Sequence, residues 1–171
     1  LAYSIDIDDG GVTTAKQTFT SADTTITISN SSTLRNSLNN MININGQDNG
    51  TVIIEAGSTV ETTGGKSNPI NGNAASGLTI TNSGTIKSAS SKAINLTDAT
   101  TGTLTNNSGG VIEANTNTIS MFGGSTDGVT IHNNGTIFAT DDDDAQTNTI
   151  KSHEDSTNIT INNNSGGHIY H

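Results

Sequence analysis

The sequence contains no cysteine, so no disulfide or thiolate metal site can contribute to the fold. Lysine and arginine number six against 16 acidic residues, which gives a formal net charge of −10 at pH 7. So few cations argue against nucleic-acid binding and against attachment to an anionic membrane surface. Since no apolar run is long enough for a transmembrane helix, we expect no membrane insertion. We find no signal peptide, and because the first residue is Leu1 we expect a mature or excised part of a longer protein.

Hydrophobic residues are also scarce, at 29%, and aromatic residues make up 3%. These residues are too few to fill the core of an ordinary globular domain. The abundance of Asn, Thr, Ser and Gly alone would suggest disorder. However, charged residues are only 13%, below the roughly 25% of average domains. The apolar residues also recur at regular intervals. A solenoid fits both observations, because stacked coils share a thin core.

The repeat is clearest between Leu78 and Ile86, where the sequence is LTITNSGTI. Residues 131–137 repeat its part from Ile80 to Ile86 closely, and residues 104–112 and 161–169 repeat that part with two additional residues. Each repeat contains three apolar anchors. The first anchors are Ile28, Ile54, Ile80, Leu104, Ile131 and Ile161; the second are Leu34, Val60, Ile86, Ile112, Ile137 and Ile169; the third are Ile42, Ile70, Ile94, Ile119 and Ile150.

Successive second anchors are separated by 26, 26, 26, 25 and 32 residues. Three short β-branched runs per repeat, separated by Gly and Asn turns, predict three strands per turn of a parallel β-helix. Thr, Asn, Ser and Gly have poor helix propensity, and the pattern of a leucine-rich repeat is missing. The sequence therefore predicts an all-β, single-stranded parallel β-helix of about six coils. We take right-handedness from the chirality of parallel crossovers.

Polar residues align in columns once the coils are superimposed. The third residue of the first run is asparagine in five coils, at Asn30, Asn82, Asn106, Asn133 and Asn163. Asparagine tolerates the left-handed backbone of a tight bend, and stacked asparagine side chains can form hydrogen bonds between coils. We therefore predict an asparagine ladder, and a partial threonine ladder just before the second anchors.

Charges of alternating sign follow the second anchors at Arg35, Glu61, Lys87 and Glu113. Adjacent coils of a β-helix lie about 4.8 Å apart, so like charges in such a column would repel one another. The alternation of positive and negative side chains therefore predicts a stripe of ion pairs along the column. The column continues with Phe138 and Tyr170, where the charges end.

The chain divides into residues 1–23, predicted to be an N-terminal cap or partial coil, and a β-helix over residues 24–171. A loop insertion is expected at residues 140–148. The last coil has no third run, and an uncovered end of a solenoid is a sheet edge that favours pairing. We therefore expect either a longer native chain or head-to-tail stacking with a second copy.

The LTITNSGTI repeat, followed by Lys92-Ala93-Ile94-Asn95-Leu96, resembles the repeats of autotransporter and haemagglutinin-type passenger domains. The resemblance covers about residues 24–171. It implies a right-handed β-helix, secretion to a bacterial cell surface, and a structural or adhesive role with a cell-surface or glycan partner. Enzymes also use this fold, so the alternative is a carbohydrate-binding or carbohydrate-cleaving fragment similar to tailspikes and polysaccharide lyases.

Asp141, Asp142, Asp143 and Asp144 form an acidic run that suits Ca²⁺, which binds carboxylate oxygens. The run lacks the ordered ligand spacing of an EF-hand loop, and a solvated acidic loop is the competing interpretation. No other metal or cofactor is predicted.

Glu61 and Glu113 are the candidate pair for glycoside chemistry, two coils apart with Lys87 between them. The intervening lysine favours a structural charge ladder, and we predict no enzymatic activity. His132, Phe138 and Tyr170 form a candidate contact surface, although packing of the aromatic rings under a loop would explain them equally well.

Overall fold

A computed structural model describes residues 3–141 and 147–171 of the chain. Over these residues the chain forms twenty β-strands and no helix, and consequently no helix there could cross a membrane. The strands are β1 Ser4–Ile7, β2 Val12–Thr13, β3 Gln17–Thr18, β4 Thr25–Ile28, β5 Thr33–Asn36, β6 Ile42–Asn43, β7 Thr51–Ile54, β8 Thr59–Thr62, β9 Ile70–Asn71, β10 Thr79–Asn82, β11 Thr85–Ser88, β12 Ile94–Asn95, β13 Thr103–Asn106, β14 Val111–Ala114, β15 Ile119–Met121, β16 Thr130–Asn133, β17 Thr136–Ala139, β18 Ile150–Ser152, β19 Thr160–Asn163 and β20 His168–Tyr170.

Each strand pairs in parallel with the strand three places away, which is one coil further along the chain. The pairing gives three sheets, sheet A from β1 to β19, sheet B from β2 to β20 and sheet C from β3 to β18. Sheets A and B have seven described strands each, and sheet C has six. The predicted parallel β-solenoid, with three strands per coil of about 26 residues, is confirmed.

Buried and half-buried side chains alternate along the strands, and the buried ones form the core. In β4, Thr25 and Thr27 are half-buried, whereas Ile26 and Ile28 are fully buried. Successive side chains of a strand point to opposite faces of its sheet, so one face of each sheet supplies the interior and the other meets solvent. A stack of β-branched side chains then buries much apolar surface with few residues, which explains how 29% hydrophobic residues suffice.

The second and third anchor columns lie in the predicted register. The first column is wrong by two residues in two coils, because Val52, not Ile54, pairs with Ile80. Ile26 in turn pairs with Val52. Each of these strands has two inward apolar positions, and the correct column is Ile5, Ile26, Val52, Ile80, Leu104, Ile131 and Ile161.

The N-terminal residues supply the first strand of every sheet. Strands β1, β2 and β3 pair with β4, β5 and β6, so residues 4–18 form a coil of the solenoid. At the expected insertion, β17 ends at Ala139 and β18 begins at Ile150. Residues 142–146 of that insertion lie outside the described part of the chain.

The Asn-Ser-Gly corners require glycine because successive coils approach closely. A Cβ atom on Gly84 would lie within 3 Å of the carbonyl oxygens of Ser58 and Glu55 in the preceding coil. No φ angle in the left-handed region is involved at Gly84, so the requirement is purely one of space. The repeated glycine therefore fixes how tightly the coils stack.

Candidate functional site

The interior of the solenoid contains a polar ladder. Asn82, Asn106, Asn133 and Asn163 share one column of sheet A, and the first three are completely buried. Each side-chain amide donates to the next one, with Nδ2–Oδ1 distances of 2.9, 2.9 and 2.8 Å. Buried polar groups are tolerated when they are hydrogen-bonded, and this ladder joins four coils through their cores.

Asn30 does not belong to the ladder, contrary to the sequence prediction. Its column position is taken by Ile28, and Asn30 lies at an exposed corner with a φ of 52°. Its Nδ2 donates to the carbonyl oxygen of Asp8 at 2.8 Å. Two reasons favour asparagine in this column, and they apply to different residues. The left-handed backbone occurs at Asn30, whereas the stacking of side-chain amides occurs in the ladder.

The charged column lies on the outer face of sheet B. Register pairs align Arg35 with Glu61, Glu61 with Lys87, and Lys87 with Glu113. Ion pairs join Arg35 to Glu61 and Lys87 to Glu113, the latter with an Nζ–Oε1 distance of 2.8 Å. The stripe therefore consists of two neutralised pairs, one above the other.

These ion pairs bear on the carbohydrate-cleaving alternative. Both carboxylates of the candidate pair, Glu61 and Glu113, are held by a basic partner, and Lys87 lies between them in the column. A glycosidase uses one carboxyl group as a proton donor, whereas an adjacent ammonium or guanidinium group favours the charged carboxylate. The arrangement suits a structural column better than acid–base chemistry.

The predicted contact surface is divided between two faces. Phe138 and Tyr170 stack on the outer face of sheet B, with ring centroids 5.3 Å apart and an interplanar angle of 14°. Tyr170 is 52% exposed. His132 lies on sheet A instead, where its Nδ1 is 3.3 Å from Asn162 Nδ2. Of the three residues of the predicted surface, only Phe138 and Tyr170 lie together.

The acidic run can be followed only at its first residue. The Asp141 backbone amide donates to Asn115 at 3.1 Å, and its carbonyl oxygen lies 2.8 Å from His171 Nε2. Asp142, Asp143 and Asp144 lie outside the described residues. In the described ranges, no group of three or more His, Asp or Glu side chains could hold a metal ion. Calcium binding by the run stays a prediction.

Two outward columns were missed by sequence reasoning. Sheet A begins each strand with threonine from β4 onwards, at Thr25, Thr51, Thr79, Thr103, Thr130 and Thr160. On sheet C, Asn43, Asn71 and Asn95 form a second amide ladder with Nδ2–Oδ1 distances of 2.8 and 2.9 Å. A residue-by-residue comparison after the third anchors would have found this second ladder.

A cluster of basic and aromatic side chains lies beyond the second ladder. Lys151 Nζ is 4.6 Å from the centroid of the Phe122 ring, and the His153 ring is 5.5 Å from the same ring. Lys92 Nζ lies 3.5 Å from Asn95 Oδ1. Burial, followed by repulsion from Lys151, lowers the pKa of the Lys92 ammonium below its ordinary value.

A fourth column occupies the corner between sheets C and A, where Asp127 pairs with Thr157. The Asp127 carboxylate accepts hydrogen bonds from Thr157 Oγ1 at 2.6 Å and Asn158 Nδ2 at 2.9 Å. These hydrogen bonds stabilise the charged form, and they lower the pKa of the Asp127 carboxyl group.

Fold and columns define the class of protein, a parallel β-solenoid with an amide ladder in its core. No family model, curated protein or solved structure matches the chain. The kinship with autotransporter passenger domains therefore stays a prediction from the repeat.

Proposed function

We propose that the chain is part of a rigid rod on the outside of a bacterial cell, with a structural and adhesive role. The main observation behind the proposal is that the strands of all three sheets pair along the same axis, the axis of the solenoid. Each strand hydrogen-bonds to the equivalent strand of the next coil, so the backbone hydrogen bonds run along the axis. Seven strands at about 4.8 Å make this stretch about 30 Å long.

Stiffness is supported by three kinds of axial contact. The backbone ladders of sheets A, B and C surround the core, the buried asparagine ladder runs inside it, and the ion pairs of sheet B lie outside. A bend would have to lengthen hydrogen bonds on one face, and a buried unpaired amide is costly. A protein that must hold a surface away from a cell benefits from such a scaffold.

Adhesion requires an exposed surface that can lose water at low cost. The stacked rings of Phe138 and Tyr170 supply such a surface on sheet B, beside the neutralised charge column. Aromatic rings dominate many interface energies because they bury a large area with few rotatable bonds. We infer that this pair contributes a contact to a cell-surface or glycan partner.

Assembly with a second copy is the specific form of the structural role. In the described chain β19 and β20 pair with other strands on one side only, and the inward-facing Ile161 of β19 is 46% exposed. Strands β1 to β3 of a second copy could continue the three sheets. Such a head-to-tail contact does not close on itself, and it would propagate into a filament.

Negative-stain electron microscopy of the purified protein over a range of concentrations, with and without Ca²⁺, tests the assembly. We expect thin fibres whose length increases with protein concentration. Isolated short rods at the highest concentration would contradict assembly. Fibres formed only with Ca²⁺ would support the predicted metal binding as well.

Adhesion is tested separately with beads that carry the purified protein, on cultured cells and on abiotic surfaces. We expect retention above bare beads, and a several-fold loss in a double variant, Phe138→Ser and Tyr170→Ser. His132→Ser on sheet A is the matched control and should retain full adhesion. Equal retention of coated and bare beads on all surfaces would contradict the adhesive role.

A further inference from the structure

The outer face of sheet A is the most regular surface of the described structure, and the roles proposed above do not use it. Strands β4, β7, β10 and β13 each direct their first and third residues outward. Seven of these eight outward residues are threonine and the other is isoleucine: Thr25, Thr27, Thr51, Ile53, Thr79, Thr81, Thr103 and Thr105. We call this set of residues the threonine face.

The threonine face repeats in two directions. All four residues of each strand pair one to one with those of the next strand, so the outward columns run through four coils without an offset. Neighbouring strands lie about 4.8 Å apart, and alternate residues of one strand lie about 6.6 Å apart. The two columns therefore form a two-dimensional lattice of threonine side chains, interrupted only at Ile53.

Both the side chains of this face and the coils that carry them are held in place. A β-branched side chain has few χ1 rotamers, so each threonine presents its methyl and hydroxyl groups in a restricted orientation. On the inner side of the same sheet, Asn82 Nδ2 donates to Asn106 Oδ1 at 2.9 Å, which ties β10 to β13. The lattice is thus preformed, and binding to it costs little conformational entropy.

The hydroxyl groups of the threonine face are available to solvent. In the described part of the chain they make no hydrogen bond to the protein, and all seven threonines are at least partly exposed. None of the eight outward residues is charged, although the chain carries a net charge of −10. Neutral hydroxyl and methyl groups at fixed intervals hold water molecules at matching intervals, whereas a charged group would reorient the water around itself.

We propose that the threonine face binds ice. Hexagonal ice presents rows of water oxygens whose repeat in one direction is close to the spacing of neighbouring β-strands. The repeat across these rows is close to the spacing of alternate residues in a strand. Water held on the threonine lattice can therefore join the crystal without moving far. The proposal goes beyond the structural and adhesive role and does not depend on it.

Composition and area favour ice over other occupants of this face. The eight outward residues include no aromatic ring on which a sugar could stack, and no cation that could hold a polyanion. Four strands of four residues cover roughly 250 Å², well below the about 800 Å² that each partner buries in a stable protein complex. An ice crystal differs from a protein partner, because it grows around an adsorbed molecule and holds it there.

Partition into a slowly growing ice crystal tests the proposal, together with the gap between melting and freezing temperatures of the same samples. We expect enrichment of the protein in ice relative to a globular protein of similar size, and a measurable temperature gap. Thr51→Lys, which places a long charged side chain inside the lattice, should reduce both several-fold. Absence of both effects in the unmodified protein would overturn the proposal.

The matched control is Thr59→Lys in the same coil. Thr51 and Thr59 are both half-buried first residues of their strands, but Thr59 lies on sheet B. This variant should partition into ice like the unmodified protein, and thermal melts should verify that both variants are folded. If Thr51→Lys does not fold, Thr103→Lys repeats the test at the equivalent position of β13. Equal losses on sheets A and B would overturn the proposal.

Sedimentation velocity distinguishes ice from a second copy of the chain as the occupant. Dimers that Thr51→Lys dissociates, without enrichment in ice, would assign the face to self-association and overturn ice binding. The proposed function fails independently, because it depends on fibres and on bead adhesion. The double variant at Phe138 and Tyr170 should lose adhesion and still partition into ice.

Discussion

Each asparagine of the buried ladder has its amide orientation fixed by backbone groups. Asn106 Nδ2 lies 3.2 Å from the carbonyl oxygens of both Gly110 and Thr136, in addition to its bond to the next asparagine. Only the nitrogen of an amide can donate, so this side of the side chain must be Nδ2. The oxygen then faces the previous coil, where Asn82 Nδ2 donates to it.

The ladder stops where an isoleucine takes the next position in the column. Ile54 pairs with Asn82, and Asn82 Oδ1 is buried without a hydrogen-bond partner. A buried unsatisfied acceptor costs about 1–3 kcal/mol. Any ladder of this kind ends in one such acceptor, so extending it by one rung would only move the cost.

We predict that Asn106→Ala lowers the free energy of unfolding by about 2–4 kcal/mol. The substitution removes the amide that joins Asn82 to Asn133, so Asn82 Nδ2 loses an acceptor and Asn133 Oδ1 loses a donor in a closed core. Urea denaturation monitored by circular dichroism measures the change. The control is Asn39→Ala at an exposed loop position, which should remain within about 0.5 kcal/mol of the unmodified protein.

The sequence predicts the column of a residue only where the pattern of apolar residues before it allows a single alignment. The four true rungs follow from the spacing of Asn-x-Gly or Asn-x-x-x-Gly after a single apolar anchor. In the strands before them, Ile26 and Ile28 both point inward, and so do Val52 and Ile54. Either residue fits an apolar column, so spacing alone could not choose, and Asn30 was placed in the wrong column.

At the scale of elements, the charged column on the outer face of sheet B favours one pairing of neighbouring strands over others. A strand of this sheet offers its charged side chain to two neighbours, and the alternation of signs gives each neighbour an opposite charge. A parallel strand shifted by one coil would meet a like charge. The column therefore supports the register as well as the stability of the sheet.

Lys87→Glu should place three carboxylates in succession along sheet B, at Glu61, residue 87 and Glu113. Because these groups lie near the surface, we expect a loss of only about 1 kcal/mol in the free energy of unfolding. The loss should shrink in 1 M NaCl, where charges are screened beyond about 3 Å. Thermal unfolding at low and high salt measures both effects.

Lys87→Gln is the companion variant, since it removes the ion pair with Glu113 without adding a repulsion. Its effect should be smaller than that of Lys87→Glu at low salt, and it should also shrink in 1 M NaCl, because salt screens the ion pair that this variant lacks. Indistinguishable melting curves for the two variants at low salt would show that the column is not electrostatically coupled.

The cluster of Lys151, Phe122 and His153 beside sheet C is not predicted from the sequence, although the anchors of that sheet are. Asn95, Ser120 and Lys151 occupy one column, although they are separated by 25 and 31 residues. The residue type in this column changes from asparagine to serine and then to lysine, so no repeated residue marks the column in the sequence. Sheets B and C have the register of their predicted anchors, whereas sheet A departs from the predicted register in two coils.

For the whole molecule, stability is a sum over coils and over the contacts between adjacent coils. A defect at one contact should therefore separate the stack at that point. The closest approach to backbone atoms described in the later coils is at Gly135, where a Cβ atom would lie within 3 Å of the carbonyl oxygens of Asn107 and Gly110. Backbone atoms cannot move aside as a flexible side chain does.

We predict that Gly135→Ala separates the coil that contains residue 135, together with the coil after it, from all the coils before it. Amide hydrogen exchange followed by mass spectrometry should show lost protection in β16 to β20 and retained protection in β4 to β11. Gly64→Ala is the control, because a Cβ atom there would have ordinary contacts at 3.6 Å or more. A uniform loss of protection along the chain would instead indicate that the solenoid unfolds as one unit.

The fixed orientation of the ladder amides makes the interior of the rod a directed structure. All donors point towards the later coils and all acceptors towards the earlier ones, so the side-chain dipoles add instead of cancelling. A coil laid on Asn163 would meet an amide nitrogen and should present an oxygen to it, whereas the coil beneath Asn82 meets an amide oxygen and presents only the Ile54 side chain. The two ends of the ladder are therefore chemically unlike templates, and a coil that is correct for one end is mismatched at the other.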